Sequence, residues 1–149
     1  MTTGFSTNHD IFQRLKAIFL AAKEDYEGGY IFSIRSLVQA EIFDSELEQA
    51  GELLRAGYVG AAAVIAGVVL ETALRDSCSQ RSIDMGKLDK MNADMAKAGV
   101  YSILVQKQIT AFADIRNNAA HGNYEKFNND DIVSMISRIE RILAEHLGN

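Results

Sequence analysis

The chain has no proline in its 149 residues. Proline ends helices and marks strand edges and turns, so a chain without it favours long helices joined by glycine turns. Glycine then becomes the main punctuation. Gly28-Gly29, Gly57, Gly99 and Gly122 divide the sequence into segments whose apolar residues recur with a helical period. With 48% hydrophobic and 23% charged residues, the composition is that of a globular chain long enough to bury a core. One domain spanning residues 1–149 is expected, with 1–9 frayed because they are small, polar and aperiodic.

In chain order, Asn8 or Asp10 is placed to cap a first helix with Ile11, Leu15, Ile18 and Ala22 on one face and Phe12 and Phe19 flanking it. A second helical stretch runs from Tyr30 to Ala56, with a kink or a restart expected at Asp44-Ser45, where Ser45 and Glu48 have capping-box spacing. Tyr58 to Arg81 is apolar nearly all round, as suits the centre of a bundle. Within it, Gly60, Ala63, Gly67 and Glu71 form a row of small residues ending in a carboxylate. Such a row lets a neighbouring helix come close, and the carboxylate needs a partner.

A shorter, peripheral helix is expected between Ser82 and Gly99, with Leu88, Met91 and Met95 as a thin stripe. Ser102 should cap the next helix, which runs to His121, and Asn129 the last, with Asp130 and Asp131 in its first turn. Ile132, Ile136, Ile139, Leu143 and Leu147 give that last helix a regular stripe. The fold class that follows is all-α, an antiparallel up-and-down bundle of five to six helices.

The formal charge of −5 argues against a broad basic face for nucleic acid, so any RNA contact requires a local cationic pocket. The lone Cys78 allows no intramolecular disulfide. No apolar run reaches the roughly 20 residues needed to span a bilayer, and MTTGFSTNHD lacks the order of a signal peptide. A cytoplasmic protein without a membrane partner is expected.

The candidate site is the stretch Arg116-Asn117-Asn118-Ala119-Ala120-His121-Gly122. Arg116 continues the stripe of Val105, Ile109 and Phe112, so its stem should be packed and its guanidinium should reach a carboxylate, solvent or an anionic ligand. Glu71 is the best carboxylate candidate. Five residues separate Arg116 from His121, about 140° of rotation on a straight helix, so one helix does not aim both at one point. Asn117 and His121, four apart, share a face. A turn at Gly122 could fold the imidazole back, or a second copy could supply the complementary groups, with Ala119 and Ala120 permitting close approach. The plain alternatives are a structural Arg–Glu bridge and an idle histidine at a helix C-terminus.

Arg116-Asn117-x-x-x-His121 resembles the Arg-x4-His signature of HEPN domains. The surrounding Asp114-Ile115-Arg116-Asn117-Asn118-Ala119-Ala120-His121-Gly122 is similar to the prokaryotic HEPN pattern, and Gly60-Ala61-Ala62-Ala63 through Leu70-Glu71 is similar to the central helix of that group. The likeness covers about residues 45 to 147. It implies a helical bundle that dimerises through the helix carrying Arg116 to His121, with the paired motifs facing one another. It further implies a metal-independent endoribonuclease without cofactor, as found in toxin–antitoxin and defence systems, or a non-catalytic relative that binds RNA or nucleotide or serves as a dimerising module.

By that resemblance His121 is general acid or base and Arg116 steadies charge on phosphorus. Asn117 orients His121 or contacts phosphate, and Glu71 holds Arg116. An antitoxin partner is implied as well. Some relatives carry a modifiable tyrosine two residues after the histidine. Here that position is Asn123, and Tyr124 follows one later, placed to pack over the site.

Overall fold

A computed structural model describes residues 2–27 and 30–148, with side chains for 8–20, 34, 35 and 37–148. It is all-α, with six α-helices and no strand among the described residues. These are α1 (Thr2–Glu27), α2 (Tyr30–Arg55), α3 (Val59–Gln80), α4 (Leu88–Lys97), α5 (Ile103–Ala120) and α6 (Asn129–Ile142). A 3-10 turn, Tyr124–Lys126, joins α5 to α6, and a π turn, Leu143–Leu147, follows α6. The chain divides into two units, Met1–Gln39 and Ala40–Gly148.

The unit Ala40–Gly148 holds the core. Phe43, Leu47, Ala50 and Leu54 of α2 are buried with Ala62, Ala66, Val69, Leu70 and Leu74 of α3. Ile109 of α5 and Ile132, Met135, Ile139 and Ile142 of α6 complete it. The expected last stripe is therefore real, except that Leu143 is half-buried and Met135 and Ile142 join it. Val68 is the exposed large residue of α3, so the central helix keeps one side in solvent.

Helix ends follow glycine as expected. Gly57, Gly99 and Gly122 all have positive φ. At each, the glycine N–H and the next residue's N–H donate back to α-helical carbonyls, as in Gly122 to Ala119 at 3.2 Å and Asn123 to Asn118 at 2.8 Å. Only a residue without Cβ takes that left-handed turn at no steric cost. The end of α3 uses the same bonds with Ser82 at φ 56. The expected end at Gly28-Gly29 and the position of the Ala22 side chain lie outside the described residues.

Several expectations need correction. α1 begins at Thr2, ahead of Asn8 and Asp10, since extending a helix orders only one residue per added bond. α2 runs through Asp44-Ser45 without a break, both side chains exposed, because continuing the ladder costs less than a new nucleus. α4 is confined to Leu88–Lys97 and is not peripheral in its packing: Leu88, Met91 and Met95 are all buried. The last helix is capped by Asn128 rather than Asn129, in a reciprocal capping box with Asp131.

A buried polar knot ties α4 to α5. Asn92 Nδ2 donates to the Gln106 carbonyl at 2.9 Å and to Thr110 Oγ1 at 3.1 Å, and the Tyr101 hydroxyl donates to Asn92 Oδ1 at 2.7 Å. Every polar group of the Asn92 side chain is thereby partnered, the condition for burying it without net cost.

Candidate functional site

The small-residue row of α3 is where α5 crosses it. A Cβ placed on Gly67 would lie 2.6 Å from Cβ, Cγ and Cδ of Arg116, so the arginine stem occupies the space that glycine leaves. One Cβ on Gly60 would lie 2.6 Å from Tyr124 Cε1. Arg116 therefore sits against Gly67 and Tyr124 against Gly60, so the two segments run antiparallel. Seven residues of rise put the two crossings about 10 Å apart along α3.

Past Gly67 the arginine reaches Glu71. Arg116 Nη1 donates to Glu71 Oε2 in an ion pair whose side chains are 20% and 24% exposed. Glu71 Oε1 also accepts from Arg75 Nη2 at 3.3 Å, and the same Arg75 nitrogen donates to the Gly86 carbonyl at 3.4 Å. The hydrogen bond from Arg116 is the main cause holding the Glu71 carboxyl below the usual carboxylate range; partial burial opposes it and the charges of both arginines assist. Two guanidinium groups share one carboxylate, so the Glu71–Arg75–Arg116 cluster keeps one net positive charge. Arg116 Nη2 donates in addition to Asn117 Oδ1 at 3.4 Å.

His121 is the C-cap residue of α5, and its N–H donates to the Asn117 carbonyl at 3.1 Å. Its side chain is exposed, and no hydrogen bond or ion pair among the described residues engages the imidazole or joins it to Arg116. The turn beyond it is stitched by Asn123 Nδ2 to Asn118 Oδ1 at 3.3 Å and by Asn118 Nδ2 to Asp114 Oδ2 at 3.4 Å. Ala119 is buried in the core, and only Ala120 of the two alanines is exposed. The close approach expected of both alanines therefore reduces to Ala120.

Tyr124 lies in the 3-10 turn with 61% of its surface exposed, its ring edge-on to the buried Phe127 at 6.2 Å between centroids. Among the expected site residues, the structure brings together Arg116, Glu71 and Asn117. It leaves His121 open on the following turn and Tyr124 one crossing away. Arg75 joins the cluster without having been expected there; its signal in the sequence is its place four residues after Glu71 on α3. The Asp114–Asn118–Asn123 stitching was likewise not foreseen, and only the i to i+4 spacing of Asp114 and Asn118 hints at it.

A cleft of about 810 Å³ lies elsewhere, between the second half of α2 and α6. Glu48, Glu52 and Glu140 line it against a single Arg55, a poor environment for an anionic substrate. No helix among the described residues is long and apolar enough to cross a membrane. No family model matches the chain, and neither the curated proteins nor the solved structures compared with it yield a match.

Proposed function

We propose that the chain is an RNA endonuclease of HEPN type, acting as a homodimer with no metal in the chemical step. The observation that carries this reading is the placement of Arg116. Gly67 and Glu71 hold a guanidinium in one position, within a cluster of net positive charge, five residues before a solvent-open imidazole. A fixed cation costs no reorganisation when charge develops on a phosphoryl group. An imidazole can both accept and donate a proton, which suits proton transfer.

In this reaction the ribose 2′-oxygen attacks phosphorus and the P–O5′ bond breaks, leaving a 2′,3′-cyclic phosphate and a 5′-hydroxyl. One proton leaves the 2′-hydroxyl and one must reach the 5′-oxygen. A single imidazole cannot begin in both protonation states, so two copies of His121 divide the work across a two-fold axis. Arg116 stabilises the equatorial phosphoryl oxygens, Asn117 steadies Arg116, and Glu71 positions it.

A second reading, a non-catalytic module that binds RNA or nucleotide, draws support from the same ion pair. Glu71 already occupies one face of the Arg116 guanidinium. In either role an antitoxin-like partner is a proposal of the resemblance.

Because His121 is exposed and its imidazole is unengaged, His121→Ala leaves the core untouched. Wild-type protein in chelator should cut single-stranded RNA to 2′,3′-cyclic ends, and His121→Ala should reduce the rate by about 10²–10⁴-fold. RNA binding with no cutting by wild type selects the module. Equal cutting by His121→Ala removes His121 from the chemistry.

A further inference from the structure

Every described side chain of α1, from residue 8 to residue 20, is exposed. Among them Ile11, Phe12, Leu15, Ile18 and Phe19 lie within an arc of about 120° at 100° per residue. Their exposures run from 47% for Ile11 to 69% for Phe19. In the same unit Ile34, Leu37 and Val38 form a second exposed stripe on the first part of α2, within an arc of about 100°. A lone scattered leucine on a surface means nothing, but two coherent stripes on successive helices do. The helical period makes each of them a continuous apolar face.

We propose that these stripes form a dimer interface with a second copy of the chain, separate from the α5 corner. Three observations select this occupant. The first is area. With the second stripe, eight large apolar side chains lie exposed on these faces among the described residues of Met1–Gln39. At about 100 Å² each they offer roughly 800 Å². A standard interface takes about 800 Å² from each partner.

The second is self-complementarity. Each copy carries two apolar stripes of similar width, so two copies related by a two-fold axis can pair them into a four-helix cluster with no other component. The third is charge. Between the apolar positions α1 carries His9, Asp10, Arg14 and Lys16, of mixed sign, and not the cationic face that attracts a helix to an anionic membrane. Burial in a dimer also explains how a single helix of this length is maintained, since helices gain most of their stability from packing an apolar face.

The test is sedimentation equilibrium of the full chain alongside the double substitution Leu15→Glu with Phe19→Glu and the single substitution Ala120→Glu. Both α1 positions are exposed, and the thermal transition and the near-ultraviolet tyrosine signal check that the core in Ala40–Gly148 stays intact. The α1 double variant should sediment at a lower mass than wild type, with the dissociation constant of this association raised at least 100-fold. Ala120→Glu should leave this association in place.

A wild-type chain that is monomeric at high concentration overturns the proposal. So does an assembly mass that the α1 change leaves unaltered, or a monomer that binds vesicles of phosphatidylserine and phosphatidylcholine. Because the stripes are independent of the catalytic reading, the two can fail separately: a dimer lost only with Ala120→Glu supports a composite α5 site and removes this interface. Cutting of RNA that disappears in His121→Ala while the α1 double variant becomes monomeric and still cuts supports this interface and removes the two-copy site.

Discussion

Gly67→Ala is the sharpest probe of how α3 holds Arg116. In an open helix, glycine to alanine gains about 0.8–1 kcal/mol of helix propensity. At Gly67 the new methyl would sit 2.6 Å from three carbons of Arg116, including its Cβ, which is tied to the α5 backbone and cannot swing away. Overpacking of that kind costs about 1–3 kcal/mol. The clash meets or exceeds the propensity gain, giving a net loss of up to about 2 kcal/mol together with displacement of the guanidinium from Glu71.

Gly51 in α2 supplies the matched control, because a Cβ there meets nothing nearer than Arg55 Nη2 at 3.9 Å. Gly51→Ala should stabilise by about 0.5–1 kcal/mol. The two variants should therefore differ by up to about 3 kcal/mol in urea unfolding, or up to roughly 10 °C in thermal midpoint. If Gly67→Ala stabilises as much as Gly51→Ala, α5 does not rest on the glycine row and the positioning of Arg116 by packing is refuted.

Two stability predictions join the RNA-cleavage and sedimentation tests. The Glu71 carboxyl is held low mainly by its hydrogen bond from Arg116, so its contribution is fully present above its unfolded pKa, near 4.5, and is lost as pH falls through its lower folded value. The stability deficit of Glu71→Gln should thus be largest near neutral pH and shrink as the pH falls below 4.5 in denaturant unfolding; a constant deficit removes the ion pair as its cause. Ser82 holds φ 56 at the end of α3, where the left-handed turn costs a residue with a Cβ about 1–2 kcal/mol. Ser82→Gly should then raise stability by about 0.5–1 kcal/mol, after the greater entropy of the unfolded glycine chain is offset. A neutral or lowered midpoint would sink that explanation.

What sequence alone determined were the features governed by local physics and by a simple requirement for neutralised charge. Helix period placed α3, α5 and α6, and Ser102, Gly57, Gly99 and Gly122 marked ends that the backbone itself demands. The Glu71–Arg116 pair was legible because each residue ends an apolar row, and a carboxylate and a guanidinium so placed need each other. Asp44-Ser45 and Asn129 misled because caps are chosen by competing local bonds, and a ladder already running outlasts a capping pattern inside it.

Only tertiary structure decided which stripes are covered. Leu88, Met91 and Met95 looked thin and are enclosed, whereas the fuller stripe of Ile11, Leu15 and Ile18 is open. Periodicity reports that a face is apolar; it carries no information on what lies opposite. The same holds at the site. Glycine at 60 and 67 announced a close approach, but Tyr124 and Arg116 became its occupants through the antiparallel register of α3 and α5, a relation between residues 49 to 64 positions apart in the chain that no local pattern encodes.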